Sequence, residues 1–205
     1  PRTSSAASDV YKRQVLAEER SATVYATARS ETALNDLASS LKSNTGIIHP
    51  IVLDQSDDSA VKKFITTVAE KEGRIDLLVN SAYGGLTAMT PHFGKPFWER
   101  PISVFDASID IGLRSAFVSS AIVAPHMVSQ KSGLIVQVSS FGGHSYLFDV
   151  GYGVGKAGLD RLSADMATEL NERGVKSLTL YPGGAVTEIA RFPGGETPTF
   201  TGRSV

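Results

Sequence analysis

Tyr152 and Lys156 stand four residues apart in the segment Tyr-Gly-Val-Gly-Lys. If that segment opens a helix, positions i and i+4 lie on one face. An ammonium beside a phenol favours the phenolate and lowers the phenol's pKa. A tyrosine tuned in this way can donate or accept a proton near neutral pH. Tyr-x-x-x-Lys alone is a weak signal, because chance matches are common. Ser140, preceded by Ser139, lies twelve residues upstream, just past the apolar run Gly133–Val138. A hydroxyl there can hydrogen-bond the same substrate oxygen. A strand, Ser-Ser, a glycine-bearing loop and then Tyr-x-x-x-Lys at a helix start make a far more specific combination.

The elements that would position these groups alternate along the chain. Thr23–Ala28 reads as a strand rich in β-branched and aromatic residues. Ser30–Leu41 reads as a helix with Ser30 as N-cap and Leu34, Leu37 and Leu41 on one face. Gly46–Leu53 is a second strand. Asp57 or Ser59 caps a helix whose Val61, Phe64, Ile65 and Val68 recur at helical spacing and which ends near Gly73. Asp76–Val79 is a third strand, continuously apolar as if covered on both faces. Residues 80–100 read as a loop, and one long helix is expected over Ile102–Ser129. Gly133–Val138 is a fourth strand, Tyr152–Arg173 a helix with Leu159, Leu162, Met166 and Leu170 as its apolar stripe, and Val175–Leu180 a fifth strand. Strands alternating with helices imply parallel pairing, right-handed crossovers and a doubly wound α/β sheet. Ligands in such sheets bind beyond the carboxyl ends of the strands.

The 205 residues suit one domain, and 41% hydrophobic with 20% charged residues suits a globular chain with a real core. A net charge of -1 gives no basic excess for nucleic acid. The absence of cysteine excludes disulfides and thiolate metal sites and fits a reducing compartment, so a cytoplasmic location is expected. His49, His92, His126 and His144 are scattered without ligand-like spacing, and no metal is expected. No apolar run looks long enough to span a bilayer.

In the Ser140, Tyr152 and Lys156 pattern the chain resembles the short-chain dehydrogenase/reductase family, over residues 15–190. Leu77-Leu78-Val79-Asn80-Ser81-Ala82 resembles the family's Asn-Asn-Ala-Gly segment, Asp54 its aspartate near the adenine, and Pro182-Gly183 with Thr187 its segment beside the nicotinamide. The resemblance implies a Rossmann-like three-layer sandwich. It also implies hydride transfer between a nicotinamide cofactor and a small carbonyl or alcohol substrate. Tyr152 would be the general acid, Lys156 would lower its pKa and hold the nicotinamide ribose, and Ser140 would polarise the carbonyl. Asn80, Ala82, Pro182, Gly183 and Thr187 would contact the cofactor. A fairly apolar ketone, steroid-like by resemblance, is the expected substrate. A homo-oligomer paired through the helices at 102–129 and 152–173 is implied as well.

Arg29 directly follows the Thr23–Ala28 strand. An acidic residue there would hold the ribose hydroxyls of NAD, whereas an arginine accommodates the 2′-phosphate of NADP, and a guanidinium matches phosphate geometry. NADP(H) is therefore expected, with NAD(H) as the alternative if Arg29 is only a solvated surface residue.

The pattern also has departures. The glycine-rich turn Thr-Gly-x-x-x-Gly-x-Gly and the strand before it are missing, and with them the amides that would cradle a pyrophosphate at a helix N-terminus. Residues 1–14 read as foreign to the domain, or else as a natural disordered extension, and residues 191–205 as a cut tail. Weak cofactor binding or instability is expected of this chain. Asp110 falls where the family has an asparagine that links the lysine to a proton relay; alternatively it lies on a solvated helix face. Gly142-Gly143 read as turn glycines, His144 as a substrate contact or a surface residue, and Tyr146, Leu147 and Phe148 as possible substrate walls. Phe93, Phe97 and Trp98 read as loop core or substrate wall. A non-catalytic nucleotide-binding or scaffold protein, or an inactive fragment, remains the alternative function.

Overall fold

The computed structural model describes residues 22–39 and 46–182. The segments expected at 1–14 and 191–205, the helix residue Leu41, and the cofactor positions Gly183 and Thr187 lie outside the described residues. Contacts divide the chain into two units, one holding the strands up to Asp54 and the other running from Gln55 to Gly183.

In the first unit, β1 (Thr23–Ala28), α1 (Glu31–Ser39) and β2 (Ile47–Val52) follow one another. β1 and β2 pair in parallel, from Thr23 opposite Ile47 to Ala28 opposite Val52. The Leu53 amide extends the ladder with a 2.9 Å bond to the Ala28 carbonyl. Leu34 and Leu37 of α1 bury against Ala26 and Ile48, each worth about 1.5–3 kcal/mol of transfer free energy. The Ser30 hydroxyl accepts from the Ala33 amide at 3.3 Å, as the expected N-cap.

In the second unit, α2 (Asp58–Glu72) starts at Asp57, whose carboxylate accepts from the Ser59 and Ala60 amides at 3.0 Å. It stops at Gly73, which takes the left-handed conformation. β3 (Leu77–Asn80), β4 (Gly133–Val138) and β5 (Val175–Leu180) form a parallel ladder in that order. β4 is its middle strand, and Ile135 to Val138 are buried along it. Val79, expected to be covered on both faces, is 38% exposed. The single sheet expected from the sequence is therefore two parallel ladders, and no described strand bridges β1 and β3.

Two expectations for residues 80–130 are corrected. The stretch read as loop contains a short helix, α3 (Gly85–Met89), and 3-10 turns at Thr90–His92 and Phe97–Glu99. The single long helix is two, α4 (Ile102–Ser108) and α5 (Ser115–Gln130), joined by a π-type turn over Ile109–Arg114 with a kink at Ile111. There the Ser115 amide reaches back to the Asp110 carbonyl, and such turns concentrate at functional sites. The Ile102–Gln130 run meets the length and apolar composition of a membrane crossing, but a kink divides it and Val104, Ala116, Val123 and Met127 are buried in the fold.

The last helix, α6 (Val150–Leu170), carries Tyr152 and Lys156 in its first two turns. Leu159 and Leu170 of its predicted stripe are buried. A 3-10 turn over Asn171–Arg173 and Gly174 in the left-handed conformation lead into β5.

Candidate active site

β4 delivers Ser139 and Ser140 to its carboxyl end. Ser139 is buried, its amide bonds the Leu180 carbonyl at 3.0 Å, and its hydroxyl donates to the Lys156 carbonyl at 3.1 Å. This ties the end of β4 to both β5 and α6. Ser140 is extended and caps the 3-10 turn Phe141–Gly143, its Oγ accepting from the Gly142 amide at 3.1 Å.

α6 begins at Asp149, whose carboxylate accepts from the Tyr152 amide at 2.6 Å. An acceptor at this position satisfies one of the donors a helix start leaves orphaned. The same carboxylate pairs with Arg100 at 2.9 Å, and both side chains are buried. Arg100 also donates to the Lys95 carbonyl at 2.9 Å. Sequence reasoning read neither this cap nor its Arg100 partner, 49 residues away.

The Tyr152 hydroxyl donates to Ser140 Oγ at 2.7 Å. The Ser140 oxygen thus accepts from both Tyr152 and Gly142, which leaves its single proton to donate elsewhere. Gly142 makes this approach feasible, since a Cβ there would sit 2.5 Å from Tyr152 Cε1. Gly142 and Gly143 are turn and close-approach glycines, as read. Phe148 meets Tyr152 edge to face at 5.0 Å and leans on Phe93 at 6.2 Å. Phe148 holds φ at 64°, an outlying conformation for a bulky residue.

The Lys156 ammonium donates to the Val138 carbonyl at 2.9 Å and lies 5.7 Å from the centroid of the Tyr152 ring. Burial is the leading influence on the Tyr152 phenol and raises its pKa, while the hydrogen bond with Ser140 acts in the opposite direction.

Sequence reasoning missed Tyr83. It directly follows the Asn80-Ser81-Ala82 segment, at the place where the family pattern carries glycine, and that departure was its one signal. Its ring lies edge to face with Tyr152 at 5.5 Å, and its hydroxyl is 3.1 Å from Ser108 Oγ. Burial, first, pushes its phenol well above the ordinary tyrosine range.

The remaining candidates fall as follows. The Asn80 amide donates to the Ala116 carbonyl at 3.3 Å and to Ser120 Oγ at 3.0 Å, so it ties β3 to α5. Ala82 is exposed just beyond β3, and Pro182 half-buried beyond β5. Asp110 is exposed on the π-type turn, the solvated alternative, and its charge adds to the field on Arg114. Arg29 and Asp54 are both exposed, just past the paired ends of β1 and β2. His144 is exposed, its Nε2 3.1 Å from the Tyr181 hydroxyl. Phe97 and Trp98, at 63% and 72% exposed, are not loop core.

The short chain dehydrogenase family profile matches residues 14–193. Dehydrogenase/reductase SDR family member 1 of Mus musculus is 44% identical over 171 residues, covering 83% of this chain and 55% of that protein. Its Homo sapiens counterpart is 42% identical over 171 residues, with the same coverage of 83% and 55%. This chain spans about half the length of these curated relatives. Among solved structures, a metagenomic short-chain oxidoreductase in complex with NADP superposes with a TM-score of 0.75 at 28% identity, covering 86% of this chain and 76% of that one.

Proposed function

Because the chain belongs to the short-chain dehydrogenase family, we propose that it is an oxidoreductase that moves a hydride between NADP(H) and a carbonyl or alcohol substrate. The observation that carries this reading is the 2.7 Å hydrogen bond from the Tyr152 hydroxyl to Ser140 Oγ. Two hydroxyls held this close can address one substrate oxygen.

In the reducing direction, the Ser140 proton is donated to the carbonyl oxygen and polarises it. The Tyr152 hydroxyl exchanges its bond to Ser140 for one to the same oxygen, and gives up its proton as the oxygen gains charge. Burial raises the phenol's pKa above its ordinary value, which favours the proton-bearing form from which the transfer starts. The resulting phenolate would be stabilised by the Lys156 ammonium. In the oxidising direction the same groups take the proton back.

Bound NADP(H) would supply or accept the hydride, while the protein provides orientation and electrostatics. The donor set fits such a group. Arg29 and Asp54 place a guanidinium and a carboxylate past the same end of the β1–β2 ladder, suited to a 2′-phosphate and to adenine or ribose polar atoms. The relative crystallised with NADP is consistent with this choice. Asp110, Ala82, Pro182, Gly183 and Thr187 remain cofactor- or relay-side candidates by resemblance, and Asn80 acts by holding β3 in place.

Phe148 beside Tyr152, backed by Phe93, suits an apolar ketone. Phe105, Phe117 and Val154 leave exposed apolar surface on α4, α5 and α6, in keeping with pairing of two copies.

The test uses this chain fitted with a Thr-Gly-x-x-x-Gly-x-Gly turn, assayed for NADPH oxidation against a ketone panel. Turnover that Tyr152→Phe abolishes supports an enzyme. Cofactor binding without turnover supports the second reading, a nucleotide-binding scaffold, which the exposed Asp110 favours.

A further inference from the structure

Tyr83 is held from three sides. Its hydroxyl meets Ser108 Oγ on α4 at 3.1 Å. Gly112, in the π-type turn, packs on the ring so closely that a Cβ there would lie 3.3 Å from Tyr83 Cδ2. Gly85 is closer still, and a Cβ on it would collide with the Tyr83 hydroxyl. The Ser108 oxygen also donates back to the Val104 carbonyl at 3.2 Å, which fixes it on its own helix. A ring fixed in this way costs little further entropy when it meets a charge.

The ring meets the charge of Lys156. The ammonium lies 5.3 Å from the Tyr83 centroid, nearer than the 5.7 Å to the Tyr152 centroid. The two rings stand at 87° to each other, so the ammonium faces two aromatic surfaces while donating to the Val138 carbonyl. Cations within about 6 Å of a ring centroid are attracted by the ring quadrupole. The glycine of the family pattern has no face to offer.

We propose that Tyr83 is a positioning residue for Lys156, its aromatic face holding the ammonium seated beside Tyr152. The functional meaning rests on the oxidoreductase reading, but the contact itself needs neither cofactor nor turnover to be tested. Loss of the face leaves the ammonium freer to leave the Val138 carbonyl. The Tyr83 hydroxyl is engaged by Ser108, and the close packing of Gly112 on the ring keeps the ring in place without it.

The experiment labels the 205-residue chain with an amine-reactive reagent at fixed pH and follows the Lys156 peptide by mass spectrometry, with an exposed lysine such as Lys131 as internal reference. The variants are Tyr83→Phe, Tyr83→Leu, and mono-, di- and trifluorinated phenylalanine at position 83. Fluorination keeps the ring's shape while draining its negative face, so a purely structural role predicts no trend. Tyr83→Phe should label like the parent. The fluorinated series should label progressively faster, and Tyr83→Leu roughly 2- to 30-fold faster. If Tyr83→Leu does not fold, the fluorinated series decides alone. A flat series overturns the proposal. So does a Tyr83→Phe chain that labels as fast as the fully fluorinated one, because that would assign the hold on Lys156 to the hydroxyl. Turnover is then a separate matter: Lys156 labelling can follow the predicted series whether or not the chain reduces a ketone.

Discussion

Arg100 and Asp149 form an ion pair of 2.9 Å with side chains only 7% and 3% exposed. Asp149 caps α6 and holds the Tyr152 amide, and Arg100 holds the Lys95 carbonyl. The pair thus joins the Lys95–Arg100 loop to the first turn of the helix that carries Tyr152. Removing one partner leaves a buried charge without compensation. Arg100→Leu should lower unfolding free energy by about 3–5 kcal/mol. The Arg114–Asp58 pair, 2.6 Å long with side chains 50% and 47% exposed, should lose no more than about 1 kcal/mol in Arg114→Leu. Urea denaturation of the two variants checks the contrast; equal losses would contradict it.

Gly142→Ala places a methyl group against the Tyr152 ring. The ring must shift, and the Tyr152–Ser140 bond with it. Misplacement of a reacting group by about 1 Å costs on the order of a hundredfold in rate. A loss of that order in kcat with little change in Tm is expected in the turn-bearing chain.

Burial raises the Tyr152 phenol above its ordinary value. The unfolded chain therefore ionises first as pH rises, and the folded state loses stability from about pH 10 upward. Below that pH the contribution is fully present. Denaturation midpoints measured across that range should fall with pH, and fall less steeply in Tyr152→Phe. A parallel slope in the two proteins would show that the phenol is not held in this way.

Arg29 stands exposed past β1. If it receives a 2′-phosphate, Arg29→Ala should remove a charge-assisted bond worth about 1.5–3 kcal/mol, roughly a tenfold or greater loss of NADPH affinity. NADH affinity should be unchanged. Fluorescence titration with both cofactors measures the difference.

The strands and the convergence of Ser140 and Tyr152 were legible in the sequence because their signals are local. β1, β4 and β5 occur at the predicted residues, since runs such as Thr23–Ala28 and Gly133–Val138 declare themselves by composition. The helix start at Tyr152 was two residues late, and the capping Asp149 explains the difference. The break at Ile111 was hidden because helical apolar spacing continues on both sides, and only Gly112 hinted at it. The Arg100–Asp149 pair and the Tyr83 contact with Lys156 join residues far apart in sequence, so no window of periodicity could contain them. Spacing alone carries no information about desolvation, the leading influence on the Tyr152 phenol.

The most direct test of the account is a comparison of the parent, Ser140→Ala and Tyr152→Phe in the turn-bearing chain, reading NADPH oxidation with an apolar ketone and NADPH binding side by side. The account predicts that both substitutions abolish or nearly abolish turnover while cofactor affinity stays within a few-fold of the parent. Turnover that survives Tyr152→Phe undiminished would contradict it.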